Sequence, residues 1–407
     1  MSRPPAAVSY RAVLTLPHAR STFAAAVVGR VSYGTLPLAL LFVTQQATHS
    51  YGVAGAVLAV FGLATVTAPA KSRLMDRHGQ RTLLIVLGVG YPLALATYTG
   101  LTLQPDPRPG LLLGVAAVAG CLTPPLGPAM RALWAEMAPN PALKQRAYSL
   151  DSVVEESLYA VGPLLVSLVL TVADARAALL LTACLVAAGT IGLALSTVSA
   201  TMAPHRRPQR APALTTRPDR LGPLAAPGMW PVLVAILGAG AGLGVLEVAV
   251  PARASAEGGP ATAGYLMAAL AVGSAAGGIV WGRRHHTGAR VRQLTVLLLL
   301  MGVGLATCAW VSELAVLAAL LLVLGSMIAP AFIVSYLAVD EIAPEHQRTE
   351  ATTWVNTVSN LGVSASTALA GFLVDRADLW VTFGCGAMLL LGAAAGTTAV
   401  RRLGVTF

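Results

Sequence analysis

Runs of about 20 mostly apolar residues recur along the whole chain, each long enough to cross a bilayer as a helix. They lie near 21–45, 51–70, 82–102, 111–136, 148–171, 176–199, 229–251, 261–281, 292–311, 314–338, 350–373 and 378–400, and are numbered helices 1 to 12 below. A segment in lipid must satisfy its own backbone polar groups, which leaves helices or closed barrels. Barrel strands are about 10 residues of alternating pattern, so these continuous runs exclude a barrel. Of the 407 residues, 56% are hydrophobic and 11% charged, whereas soluble domains carry about 25% charged residues. The first run leads into further spans and follows no cleavable signal pattern, so it reads as a first helix.

The net charge of +10 does not point to nucleic acid, because the basic residues sit in short segments between apolar runs. With the N-terminus in the cytoplasm, 22 Lys and Arg fall in cytoplasmic segments and four (Arg108, Arg176, Arg253 and Arg376) in outer loops. The one remaining basic residue, Arg30, lies inside the first span. That asymmetry predicts an even number of spans and both termini cytoplasmic. Arg outnumbers Lys by 25 to 2, and Ala and Gly abound, which points to a GC-rich bacterial genome and a bacterial inner (plasma) membrane.

The longest polar stretch, 201–228, holds six prolines and five arginines and divides the spans six and six. The expected domains are a bundle over 1–200, a cytoplasmic linker over 201–228 and a bundle over 229–407. The halves also echo one another. Pro128-Ala129 recurs as Pro330-Ala331 and Gln145-Arg146 as Gln347-Arg348, both 202 residues on. The fold class expected is all-α membrane, with twelve transmembrane helices in two pseudo-symmetric six-helix bundles.

The loop after helix 2 reads Ser72-Arg73-Leu74-Met75-Asp76-Arg77-His78-Gly79-Gln80-Arg81. It resembles the major facilitator superfamily signature, Gly-x-Leu-Ala-Asp-Arg-x-Gly-Arg-Arg between helices 2 and 3. Ser72 replaces the leading Gly, and Gln80 a basic residue. The resemblance implies a conformational switch made by Asp76, Arg77, Gly79 and Arg81. The equivalent loop of the second half, Gly278 to Arg284, has Gly282 in the place of the Asp. Gly162-Pro163 in helix 5 is similar to a motif of bacterial proton-driven exporters, with Val166-Ser167 where those carry paired glycines. Their helix 4 motif with an intramembrane Arg is absent.

An ionisable group deep in a bilayer costs several kcal/mol, so each such group is a functional candidate. Asp151 and Glu155 stand four apart on helix 5 and share a face. In the superfamily helices 1 and 5 are neighbours, so Arg30 is expected to pair with Glu155 or Asp151, as a working site or a static brace. Glu247 in helix 7 has apolar sequence neighbours that penalise its charge, which suits a proton carrier. Tyr33 follows Arg30 at helical spacing and is expected beside the same cavity. Glu156, turned about 100° from Glu155, is expected to contact headgroups. Asp340 and Glu341 are expected as solvated charges at the cytoplasmic face.

Pro37 should kink helix 1. Pro124, Pro125 and Pro128 should bend helix 4 and free carbonyls there, with Pro330 repeating the arrangement in helix 10; all four are gating candidates. Thr353, Asn356, Thr357, Asn360 and Ser364 form a polar stripe on helix 11, for interhelical hydrogen bonds or cavity lining. Gly238 to Gly244 suit close helix packing.

Cys121, Cys184, Cys308 and Cys385 lie in apolar segments and read as small buried residues. His285-His286 lacks further ligands nearby, so no metal is expected. No Walker A motif and no catalytic arrangement is present, so neither a cofactor nor an enzyme activity is expected. The function expected is secondary active transport: proton-coupled export of a small amphipathic organic molecule. A nutrient importer of the same fold is the alternative, and a non-transporting scaffold or sensor the third class. The partners are a small-molecule substrate, protons and the lipid bilayer, and the chain is expected to be a monomer.

Overall fold

The computed structural model describes residues 10–67, 70–71, 74–75, 78–201, 222–226, 228–283, 288–344 and 347–402. Among the described residues, eleven helices are long and apolar enough to cross a membrane: Ala19–Thr48, Gln80–Leu101, Pro109–Met137, Pro141–Val172, Ala175–Leu195, Met229–Glu257, Pro260–Gly282, Arg290–Cys308, Leu314–Ile342, Glu350–Arg376 and Leu379–Ala399. They correspond to helices 1, 3 to 6 and 7 to 12. Helix 2 is a shorter apolar helix, Tyr51–Thr67. The expected linker falls largely outside the described residues.

The packing repeats between the halves. Helix 1 packs on helices 5 and 6, helix 3 on helix 6, and helix 2 on helix 4; helix 7 packs on helices 11 and 12, helix 9 on helix 12, and helix 8 on helix 10. Across the halves, helix 2 meets helix 11 and helix 5 meets helix 8. Helices 1 and 7 are the most enclosed, with 72% and 78% of their most apolar windows buried, against 28% for helix 5. In lipid, apolar surface gives neighbouring helices little reason to associate, so close backbone approach carries the packing. A Cβ at Gly34 would collide with the Leu158 carbonyl, and one at Gly162 with the Gly34 backbone. That crossing sets helix 5 against helix 1 one turn beyond Arg30. Gly240 against Ser359 and Gly244 against Val363 play the same part between helices 7 and 11, as expected of that glycine run.

Helix 1 departs from expectation. Pro37 sits inside the helical stretch Ser32–Thr48, and the interruption comes at Val31, directly after Arg30. The cysteines also differ: Cys308 is buried, but Cys121 and Cys184 are exposed on helices 4 and 6.

Candidate transport site

Arg30 is fully buried and is held by both helix 5 acids rather than one of them. Its Nη2 lies 2.7 Å from Asp151 Oδ1, which is also fully buried, and its Nη1 lies 3.1 Å from Glu155 Oε2. Its Nε donates to the Ala26 carbonyl at 3.4 Å, and the guanidinium stands 5.9 Å from the Phe23 ring centroid. An unpaired guanidinium here would carry its full desolvation cost; two carboxylates offset it.

A fourth charge completes the group. Arg131, on helix 4, donates from Nη2 to the same Glu155 Oε2 at 3.2 Å, and its Nε lies 3.6 Å from Asp151 Oδ2. That second distance is too long for a hydrogen bond, and Asp151 Oδ2 has no hydrogen-bond partner among the described residues. Two arginines and two carboxylates thus join helices 1, 4 and 5 with no net formal charge. Access is graded: Glu155 is 22% exposed and Arg131 45%. The sequence assigned Arg131 to the cytoplasmic side as a topological charge and found no helix 4 arginine in the membrane. Its spacing from the prolines, three residues after Pro128, was the available signal.

Helix 4 does not merely bend. It stops at Leu122 and restarts at Leu126, with Thr123, Pro124 and Pro125 between. Pro128 is the third residue of the new helix, and its missing N–H leaves the residue 124 carbonyl without its helical donor. Helix 10 repeats this: it stops at Gly325 and restarts at Ile328, with Pro330 again third. The Pro124 carbonyl accepts instead from the Leu126 N–H at 2.9 Å, and other freed groups are met by side chains. The Gly127 N–H, in the first turn of the restarted helix, donates to the Tyr33 hydroxyl at 3.3 Å. Lys71 Nζ donates to the Thr123 carbonyl at 2.8 Å and to Thr123 Oγ1 at 2.9 Å. Burial pushes the Lys71 ammonium, which lies just past the end of helix 2, down to about 8. Lys71 also counted only as a topological charge in the sequence; its proximity to the helix 4 break is set by the fold.

In the second half Glu247 is half-buried, and no ion pair to it is found among the described residues. The helix 11 stripe divides. Ser364 faces Gly62 of helix 2, whereas Asn356 is exposed and its Oδ1 accepts from the Tyr336 hydroxyl of helix 10 at 2.6 Å. Glu156 is exposed on helix 5. Asp340 and Glu341 are exposed, and each also pairs with an arginine, Asp340 with Arg348 at 3.2 Å and Glu341 with Arg290 at 2.9 Å. Of the switch loop, Asp76 and Arg77 lie outside the described residues. Gly79 has φ +87°, a value that favours glycine, and Arg81 is exposed at the start of helix 3.

The family model described as "Major Facilitator Superfamily" matches residues 22–367 and, again, 232–403. No curated protein matches by sequence. The fold is similar to the crystal structure of the nucleoside transporter NupG, with a TM-score of 0.73 at 12% identity, over 94% of this chain and 98% of that one. It is also similar to the peptide transporter POT in complex with sulfate (0.69, 13% identity, 97% and 98% covered). A POT family transporter in complex with a thioalcohol-conjugated peptide gives 0.69 at 11% identity, with 95% and 96% covered. At such identities the likeness is one of fold.

Proposed function

The chain belongs to the Major Facilitator Superfamily, and from that premise we propose that it is a proton-coupled secondary transporter which exports a small amphipathic organic molecule by alternating access. Twelve spans, both termini in the cytoplasm and two six-helix halves rocking about a midplane site are the frame of this reading. The bacterial inner membrane is its setting, as a monomer.

The observation that carries it is the shared Glu155 oxygen, 3.1 Å from Arg30 and 3.2 Å from Arg131. Glu155 is the acid of the network that solvent reaches. A proton placed on it removes the charge that both arginines hold, leaving Asp151 to hold Arg30 at 2.7 Å and Arg131 only through the longer 3.6 Å approach. Protonation thereby loosens helix 4 from helix 5, and Tyr33 passes that change to the helix 4 break through Gly127. Asp76, Arg77, Gly79 and Arg81 act as the switch, Pro124, Pro125, Pro128 and Pro330 as the gating breaks, and Glu247 as a second proton site facing none of the arginines.

The test is substrate flux in inside-out vesicles with an imposed pH gradient, comparing the natural protein with Glu155→Gln. Substrate accumulation in the vesicle lumen driven by proton movement out of it, abolished in the variant while binding persists, supports the reading. Coupled flux that survives Glu155→Gln intact reduces the network to a brace. The second reading is uptake of a polar nutrient, favoured by the likeness to nucleoside and peptide transporters. Substrate accumulation in right-side-out vesicles under an inward proton gradient selects it.

A further inference from the structure

Among the described residues, two sets of hydrogen bonds tie the N-terminus of an even-numbered helix to the opposite half, both at the end of the bundle where helix 2 begins and helix 11 finishes. Asp375, next to last in helix 11, accepts three of them from the N-terminus of helix 2. Its Oδ2 accepts from Ser50 Oγ at 2.5 Å and from the Gly52 N–H at 2.8 Å, and its Oδ1 accepts from the Tyr51 N–H at 2.8 Å. The other set is a single neutral bond, from the Gly264 N–H of helix 8 to Ser167 Oγ of helix 5, at 2.9 Å. Each set pins the N-terminus of an even-numbered helix to the opposite half, but one clasp is ionic and the other is not.

We infer that Asp375 is the releasable latch of this end of the transport pathway, a positioning residue that holds the halves closed here by gripping the helix 2 N-terminus. The inference rests on the alternating-access reading above. Three features mark a latch rather than a fold-building bond. First, helix 2 is already capped within its own half, since Ser50 Oγ accepts from the Val53 N–H at 3.0 Å. The Tyr51 and Gly52 N–H groups are first-turn donors that water can satisfy once the seam parts. Second, a carboxylate at a helix N-terminus is favoured by the helix dipole, and charged acceptors make the stronger hydrogen bonds. The grip is therefore firm for an exposed group. Third, the charge is reserved for this contact. Arg376 lies over the Phe372 ring at 4.0 Å, and no cation stands within ion-pair distance of Asp375 among the described residues.

Gly52 is part of the device. A Cβ there would lie 2.9 Å from Asp375 Oδ2, so any side chain pushes the carboxylate off its donors. Gly371 brings helix 11 against the Tyr51 and Gly52 backbone at the same place.

The test uses pairs of spin labels in the full-length protein on a cysteine-free background and needs no substrate. One pair, at Leu103 and Trp310, reports the latched end; the other, at Glu136 and Arg292, reports the opposite end. All four positions are exposed. Asp375→Ala is expected to raise the population with long Leu103–Trp310 distances by about tenfold and to shorten the Glu136–Arg292 pair in step. Gly52→Ala, which keeps the acid, is expected to move both pairs the same way by a smaller factor. A fall in melting temperature with both distance distributions unchanged in both variants would show a static clasp and overturn the inference. Reciprocal distance changes in a protein that moves no substrate would keep the latch and sink the transport reading instead.

Discussion

Helices 4 and 10 break at equivalent points of the repeat, and they treat the break in opposite ways. In the first half, Thr123 at the break is held by Lys71, and the restarted helix carries Arg131 into the charge network. In the alignment that sets Asp76 against Gly282, Lys71 corresponds to Gly277. A Cβ on Gly277 would collide with the Ser326 carbonyl at the helix 10 break. The second half therefore closes its break by backbone contact, and the first fills the same place with a buried amine. A shared fold with different contents teaches that the break belongs to the scaffold, whereas its chemistry was placed in one half. The buried ion pairs follow the same division: Arg30 and Asp151 belong to the first half, while Glu247 in the second has no cationic partner among the described residues.

The largest expected effect attacks the charged half. Arg30→Met leaves Asp151 buried without its closest cation and should cost about 3–5 kcal/mol. Thermal unfolding in detergent measures it, and replacing Asp151 by Leu in the same chain should recover part of the loss. A melting temperature unchanged by Arg30→Met would erase the contrast between the halves. Gly277→Ala comes next, at about 1–3 kcal/mol, because helices 8 and 10 must separate to admit one methyl group. The same assay should show no such cost for Gly282→Ala, whose Cβ meets open space.

Lys71→Met should cost about 1–3 kcal/mol at neutral pH by leaving the Thr123 carbonyl without its donor. It also carries a pH signature. The folded protein releases the Lys71 proton at about 8, below the ordinary lysine value of 10.5 that applies when unfolded. Between those values the unfolded chain binds more protons, so the contribution of Lys71 to stability rises with pH. Melting temperatures from pH 7 to 10 should show the gap between Lys71→Met and the natural protein widening with pH; a constant gap would refute the buried amine. The smallest effect belongs to Glu247→Gln, within about 0.5 kcal/mol, since no ion pair is lost. A large destabilisation would mean that the second half hides a charge partner after all.

How legible this was differs by level. The spans were readable because a bilayer imposes length and apolarity on each helix separately, and the Pro128 and Pro330 repeats marked both breaks. Arg30 with the helix 5 acids was readable because a buried charge needs a partner and the helical period put Asp151 and Glu155 on one face. Arg131 and Lys71 escaped because both lie near span ends, where a basic residue has a sufficient topological explanation. Asp375 escaped for a related reason: near the end of helix 11, it looks like an ordinary surface acid until helix 2 arrives.

The sequence by itself determined the membrane class, a proline disturbance in helices 4 and 10, and the need for a partner to Arg30, because each follows from the local cost of placing a residue in lipid. Tertiary structure alone decided that Glu155 is shared by two arginines, that Lys71 fills one break while Gly277 closes the other, and that Asp375 grips the opposite half. Those depend on how close two distant helices come, and that distance is set by backbone contacts such as Gly34 with Gly162, which carry no charge or motif to announce them.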